Sequence, residues 1–303
     1  MNRPADRTAD RPARLPRLRR AVLVAFAAAA LGFAPGASTQ VSAHDFCLLP
    51  GAPTADPGSP FDLAMHLAET FPGETVPWRT GKIVSMSLFD AHGRTEIASP
   101  PLEGDPAQAR LELRAPGTAV VTLVTDASYI ELPAAEFDAY LDHDGHTAAL
   151  AARRQSGRTD TPGRERYTRH VKTILNAGGP AASVALTRAG MILEIVPQTV
   201  LQGLAPGGTL PVRAFYKDAP YADAPICATH EGWQGGPDSY AWCGRLDGAG
   251  RAQVPITAAG WQMIRASKMV PVKGDPKADW HSYWTTLTFH VAAATPAAPE
   301  SAR

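Results

Sequence analysis

From about residue 191 onward the chain is written in short β-type runs at regular intervals: Met191–Val196, Thr209–Tyr216, Pro225–His230, Ser239–Arg245, Ala252–Thr257, Trp261–Ser267 and Tyr283–Val291. Turns such as Pro206-Gly207-Gly208 and Asp247-Gly248-Ala249-Gly250 separate them. Seven runs of this spacing, divided by such turns, carry the pattern of an all-β domain. They predict an antiparallel sandwich of immunoglobulin-like or transthyretin-like kind over residues 191–292.

The preceding part, residues 44–190, also reads as β. Phe61, Leu63, Met65 and Leu67 alternate with Asp62 and His66, the period of two that marks a half-buried strand. Lys82–Asp90, Arg110–Arg114 and Ala119–Thr125 repeat the pattern. His44–Pro50 reads as an edge strand closed by proline, with Phe46 and Leu48 on one face and Cys47 on the other. A helical insertion is expected at 134–154, where Phe137, Tyr140 and Leu141 recur at helical spacing and a second Ala/Leu-rich stretch follows. Arg166–Asn176 fits strand and helix equally badly. The fold class expected is therefore mainly β: two antiparallel sandwich-like domains, a short helical insertion in the first, and a disordered Ala/Pro tail at 293–303.

Residues 1–43 read as a cleavable signal peptide. Arg3, Arg7, Arg11, Arg14, Arg17, Arg19 and Arg20 precede an apolar run from Ala21 to about Ala34, shorter than the roughly 20 residues of a membrane span. Val41-Ser42-Ala43 places the cut after Ala43 and the mature chain in the periplasm. Arg19-Arg20 leaves a twin-arginine route open beside the general secretory one. The residues before Cys47 do not resemble a lipidation site. Taking seven arginines and two aspartates from 29 residues of each sign leaves 22 basic and 27 acidic, a formal charge of −5. That balance argues against a nucleic-acid partner, and no later apolar run is long enough to embed the protein in a membrane. In an oxidising compartment Cys227 and Cys243, in neighbouring strand-like runs, are the natural disulfide pair; the alternative is two free buried thiols.

Several segments together resemble the domain of unknown function 4198 family. They are His44-Asp45-Phe46, Phe137-Asp138-Ala139-Tyr140-Leu141, the run Arg164–Lys172, Leu193–Pro197, Trp261 after Gly260, and Trp280-His281-Ser282-Tyr283-Trp284 leading to Thr286–Phe289. The resemblance implies a periplasmic protein of two β domains, in some members associated with nickel or cobalt uptake, and no established activity. The chain departs from the pattern at Cys47, where tryptophan is usual, and at His170, where tyrosine is usual.

The sharpest chemical feature follows from the expected cut. A mature N-terminal His44 offers an α-amine, with a reference pKa near 7.7–8.0, and a ring nitrogen as one chelate. A second histidine would complete a three-nitrogen set suited to nickel, cobalt or copper, and His281, His170 and His66 are the candidates, in that order. The alternative for His44 is a plain edge-strand residue. Asp142-His143-Asp144-Gly145-His146 carries four ligand-type side chains, but reads as a solvated helix-to-helix turn. Arg166, Arg169 and Lys172 form either an anion-binding patch or a set of ion pairs; Trp233, Trp242, Trp261, Trp280 and Trp284 form either a sugar platform or ordinary packing. There is no Gly-x-Ser-x-Gly elbow, His-Glu-x-x-His helix or phosphate loop, so no enzyme is expected. The reading that results is a periplasmic protein that binds a transition metal or assists its uptake, with a metal ion or an envelope transport protein as partner. The alternative is a metal-free structural or interaction module.

Overall fold

The computed structural model describes residues 45–104, 108–179 and 183–293. The expected signal peptide, His44 and all but the first residue of the 293–303 tail lie outside the described residues. In chain order, β1 (Asp45–Pro50), β2 (Pro60–Ala68), β3 (Glu74–Val76), β4 (Ile83–Asp90), β5 (Gly93–Glu96), β6 (Leu102–Glu103), β7 (Gln108–Glu112), β8 (Thr118–Thr125) and β9 (Ser128–Leu132) precede two helices, α1 (Ala134–His143) and α2 (Thr147–Gln155). After them come β10 (Gly163–Asn176), β11 (Leu193–Pro197), β12 (Thr209–Tyr216), β13 (Ala219–Pro220), β14 (Pro225–His230), β15 (Trp242–Arg245), β16 (Arg251–Pro255), β17 (Gly260–Pro271) and β18 (Trp280–Val291). The protein is mainly β, as expected, with the helical insertion where the periodicity placed it. Among the described residues no helix is long and apolar enough to cross a membrane.

The strands form three sheets. The first has the order β1-β2-β7-β6 with β3 beside β2; the central one runs β15-β14-β17-β18-β10-β8-β4-β5 with β9 on β10; the third runs β11-β12-β13 with β16 on β12. One apolar core joins the first sheet to the central one through Phe46, Leu48, Leu63, Met86, Val121 and Val171. A second joins the third sheet to the other face of the central one through Ile195, Leu210, Val212, Ile264, Leu287 and Phe289. The middle strands of the central sheet are thus covered on both sides. That is why β18 is buried along nearly its whole length and why no period of two survives in β10.

All named strand pairs but one are antiparallel. The exception joins the two halves of the chain: β18 runs parallel to β10 from Glu165↔Trp280 to Thr173↔Thr288. The core follows the sheet, since Val120 and Ile174 pack with the apolar residues of the third sheet. A cut at the expected boundary after residue 190 therefore separates β10 from its neighbour. The insertion docks by close approach: Phe137 of α1 lies directly on Gly163, where a Cβ would fall 2.0 Å from the ring.

Cys227 and Cys243 face each other on β14 and β15 and are joined by a disulfide, while Cys47 is free and buried. Closing a loop of about 15 residues stabilises mainly by restricting the unfolded chain, on the order of 3 kcal/mol. Cys227→Ser is expected to lose that amount in denaturant melts under oxidising conditions and nothing under reducing ones. An unchanged midpoint in the oxidised protein would refute this.

Candidate functional site

Two polar clusters lie on opposite faces of the central sheet. Alternation assigns their members. Thr286 and Thr288 of β18 donate hydroxyls to the carbonyls of Phe46 and Leu48 on β1, so even-numbered residues of β18 face β1, and His281 and Tyr283 face the third sheet.

On the β1 face stands Arg265 of β17, 6% exposed. Its Nε lies 3.1 Å from Asp45 Oδ1 and its Nη2 2.8 Å from Asp144 Oδ1. Its Nη1 donates to Tyr240 Oη at 2.8 Å, and Tyr240 in turn donates to Asp45 Oδ2 at 2.9 Å. The rings of Tyr240 and Trp284 stand 5.1 and 4.9 Å from the guanidinium carbon. Burial pushes the Asp144 carboxyl up, but Arg265 and the neighbouring histidines outweigh it and hold the group at about 2. Burial dominates at Asp45, which is raised despite Arg265. A cavity of about 360 Å³, bounded by His143, Asp144, Tyr240, Arg265 and the disulfide, opens beside this network.

The network continues inward. His146 Nε2 lies 3.3 Å from Ser267 Oγ, and burial lowers the imidazole to about 4. Trp284 donates its indole N–H to Ser282 Oγ at 2.8 Å, and Ser282 donates to Glu165, which also accepts from Tyr140 Oη at 3.3 Å. Burial raises Glu165 to about 7 against the pull of those donors. The expected solvated turn at 142–146 is thus corrected at two positions: Asp144 and His146 are buried partners of the sheet, not surface residues. Gly145 follows the end of the first helix at φ +70, with a Cβ there falling 2.6 Å from Pro225. Chemically the cluster is a strut. It ties β1, the helical insertion, the disulfide hairpin and β17 through one guanidinium whose charge is answered by two carboxylates.

The other face holds the histidines. His170 Nε2 and His281 Nε2 each lie 3.3 Å from Thr168 Oγ1. The register that pairs Arg166 with His281 and Thr168 with Tyr283 brings them to one spot. His281 lies tilted against Tyr283 at 4.0 Å and 30°, His170 lies 6.0 Å from the same ring, and Tyr216 of β12 closes the group at 5.5 Å from Tyr283. Burial lowers both imidazoles to about 4, helped at His170 by His281 and at His281 by Arg166 and Lys217. Nδ1 of His170 is buried without a hydrogen-bond partner. Both rings are therefore neutral at neutral pH, with lone pairs available.

Of the sequence-based candidates, the structure brings His170 and His281 together. His66 lies apart on β2, opposite Cys47 and Thr75, and burial lowers its imidazole. His44 falls outside the described residues. Among the described residues no group of three or more His, Cys, Asp and Glu side chains is placed to hold a metal. The suggested cationic patch divides into separate contacts: Arg166 pairs with Asp275 at 3.2 Å, Lys172 with Glu194, and Arg169 lies over Phe46 and Tyr167. Trp280 and Trp284 are buried, and Trp233 donates to Ser239 at 3.1 Å. Sequence reasoning missed Arg265, Asp45 and Tyr240. The one available signal was a single arginine inside the apolar run Trp261–Ser267.

Sheets, insertion and polar clusters together define a mainly β protein with buried polar clusters on both faces of its central sheet. The sequence pattern of the family described as "Domain of unknown function (DUF4198)" matches residues 41–269, and the chain belongs to that family. No curated protein matches the sequence. Among solved structures, the D0-D1 domain of Intimin is similar at 12% identity over 82% of this chain and 98% of its own, with a TM-score of 0.20. The Yersinia pseudotuberculosis adhesin InvE is similar at 13% identity over 81% of this chain and 59% of its own, with a TM-score of 0.18. Murine CEACAM1b is similar at 5% identity over 82% and 100%, with a TM-score of 0.19. Similarities this low carry no argument about this chain.

Proposed function

We propose that this protein is a non-enzymatic metal-binding protein of the bacterial cell envelope, exported by its basic and apolar N-terminal segment and trimmed after Ala43. It holds a transition-metal ion, or assists its uptake, through histidine nitrogens. The observation that supports this reading is the convergence of His170 Nε2 and His281 Nε2 on Thr168 Oγ1 at 3.3 Å each. Two buried neutral imidazoles presenting nitrogens to one point form the start of a site for nickel, cobalt or copper. Because β1 lies on the opposite face of the sheet from this pair, the amine-and-imidazole chelate of His44 is proposed as a separate site.

One observation favours a second reading, a metal-free structural or interaction module: no third ligand-type side chain joins the pair among the described residues. Metal analysis separates the two. Protein purified from the envelope fraction with its natural N-terminus should carry metal. Part of it should survive a Gly placed before His44, which destroys the amine chelate, and be lost when His170 and His281 are both replaced by alanine. Metal-free protein in every form, with no uptake on titration, would leave the interaction module in its place.

A further inference from the structure

We infer that the His170–His281 pair is built for a soft monovalent ion, Cu(I), and rejects divalent ions. The inference rests on the reading that the pair takes a metal, and it names which. Ligand number is the first argument. The pair supplies two nitrogens, and no third His, Cys, Asp or Glu side chain accompanies them among the described residues. Divalent zinc, nickel and cobalt fill four or more positions. Apart from the Thr168 hydroxyl, the missing ligands would have to come from water or backbone in a site where His170 is 2% and His281 8% exposed. Cu(I) has a closed shell and is satisfied by two nitrogens in line.

Charge is the second argument. Arg166 and Lys217 act on His281 from close by, and the acid that opposes them, Asp275, is already paired with Arg166. Lys217 and Lys268 lie over the Tyr216 ring at 5.4 and 5.8 Å. The cost of burying an ion grows with the square of its charge, so a dication loses about four times as much solvation as a monocation. It is also repelled twice as strongly by each neighbouring cation.

The surroundings of the rings agree. A divalent site commonly backs each imidazole with a carboxylate or carbonyl on the far nitrogen, which raises its basicity; Nδ1 of His170 has no such partner. Tyr283, whose ring centroid is 4.0 Å from that of His281, adds a polarisable wall that suits a weakly hydrated cation. An ion held by both Nε2 atoms would displace the Thr168 hydroxyl that now bridges them; because that hydroxyl has one proton to give, the ring that now donates to it from Nε2 would carry its proton on Nδ1 instead. The ion enters and leaves as Cu(I), so no electron transfer is involved.

The test uses the whole processed protein with Gly ahead of His44, so that the amine chelate is absent, and Cys47→Ser, so that the buried thiol contributes nothing. Cu(I) is titrated without oxygen against a chromophoric Cu(I) chelator, Ag(I) serves as a redox-inert probe, and Cu(II), Ni(II) and Co(II) are titrated in parallel. One equivalent of Cu(I) and of Ag(I) is expected, weakened at least tenfold by His170→Ala and by His281→Ala, with no divalent ion bound. Divalent binding that disappears with either histidine would overturn the monovalent assignment and leave the metal reading standing. No ion bound through the pair would overturn both. Should the variants unfold, histidine ring NMR signals of the unsubstituted pair decide: Ag(I) should shift the rings of His170 and His281, and shifts confined to other histidines would refute the inference.

Discussion

Glu194→Ala is expected to cost about 3–5 kcal/mol of stability, the loss that follows when one member of a buried ion pair is removed. Glu194 and Lys172 are 0% and 1% exposed at the side chain. The carboxylate also accepts backbone N–H groups from Ala189 at 2.7 Å and Gly190 at 3.1 Å, where the chain turns into β11. Burial already lowers the Lys172 ammonium, and Glu194 is what opposes that shift. Without it the lysine must lose its proton or drag water into the core. A chain of this size would lose roughly 10 °C of melting temperature. The double change Lys172→Met with Glu194→Leu removes both charges and is expected to recover most of the Lys172 share, though not the two N–H bonds. Denaturant midpoints for the single and double variants decide; a Glu194→Ala protein within 1 kcal/mol of the parent would show that the pair contributes little.

Acid is expected to destabilise the protein steeply between pH 6.5 and 4. His146, His170 and His281 are each held near 4 by burial, against about 6.5 in an unfolded chain. A depressed folded pKa means that their contribution is complete above pH 6.5 and disappears as pH falls through 4, when the unfolded chain binds protons that the folded one refuses. For His146 the difference is on the order of 3 kcal/mol. Glu165, raised to about 7, acts in the opposite sense: its contribution is complete below about 4.5 and is lost as pH rises through 7, so it softens the acid loss without reversing it. Asp144, held at about 2, adds a further loss below pH 4. Denaturant melts from pH 7 to 4 should show the fall, and His146→Gln should reduce its slope by about one proton. A flat profile, or an unchanged slope in that variant, would contradict the assignment.

How much of this was legible in the sequence depended on what each residue faces. Strands with one wet face announced themselves: Thr209–Tyr216 and Pro225–His230 coincide with β12 and β14 to the residue. The helical insertion was equally readable, because Phe137 and Leu141 point inward from an otherwise polar helix. β10 was not, because apolar or partnered polar groups cover both its faces, and its alternation disappears. The parallel pairing of β10 with β18 leaves no local trace at all. Site residues divided in the same way. Histidines stand out in a sequence, and His281, His170 and His66 were offered as alternative partners for His44; that the first two meet each other depends on the register of strands distant in the chain. Arg265 gave almost no signal, because its partners Asp45, Asp144 and Tyr240 come from three separate segments.

The parallel pairing also sets a timetable. β10 contains residue 165, and its neighbour begins at residue 280, so the central sheet stays open along one side until almost the last strand has emerged. Loop closure over that distance comes late and slowly compared with the local hairpins. Until then the first half of the chain has an exposed strand edge and an unfinished core. Completion of the fold is thereby postponed to the moment when the last strand arrives and closes the open side of the central sheet.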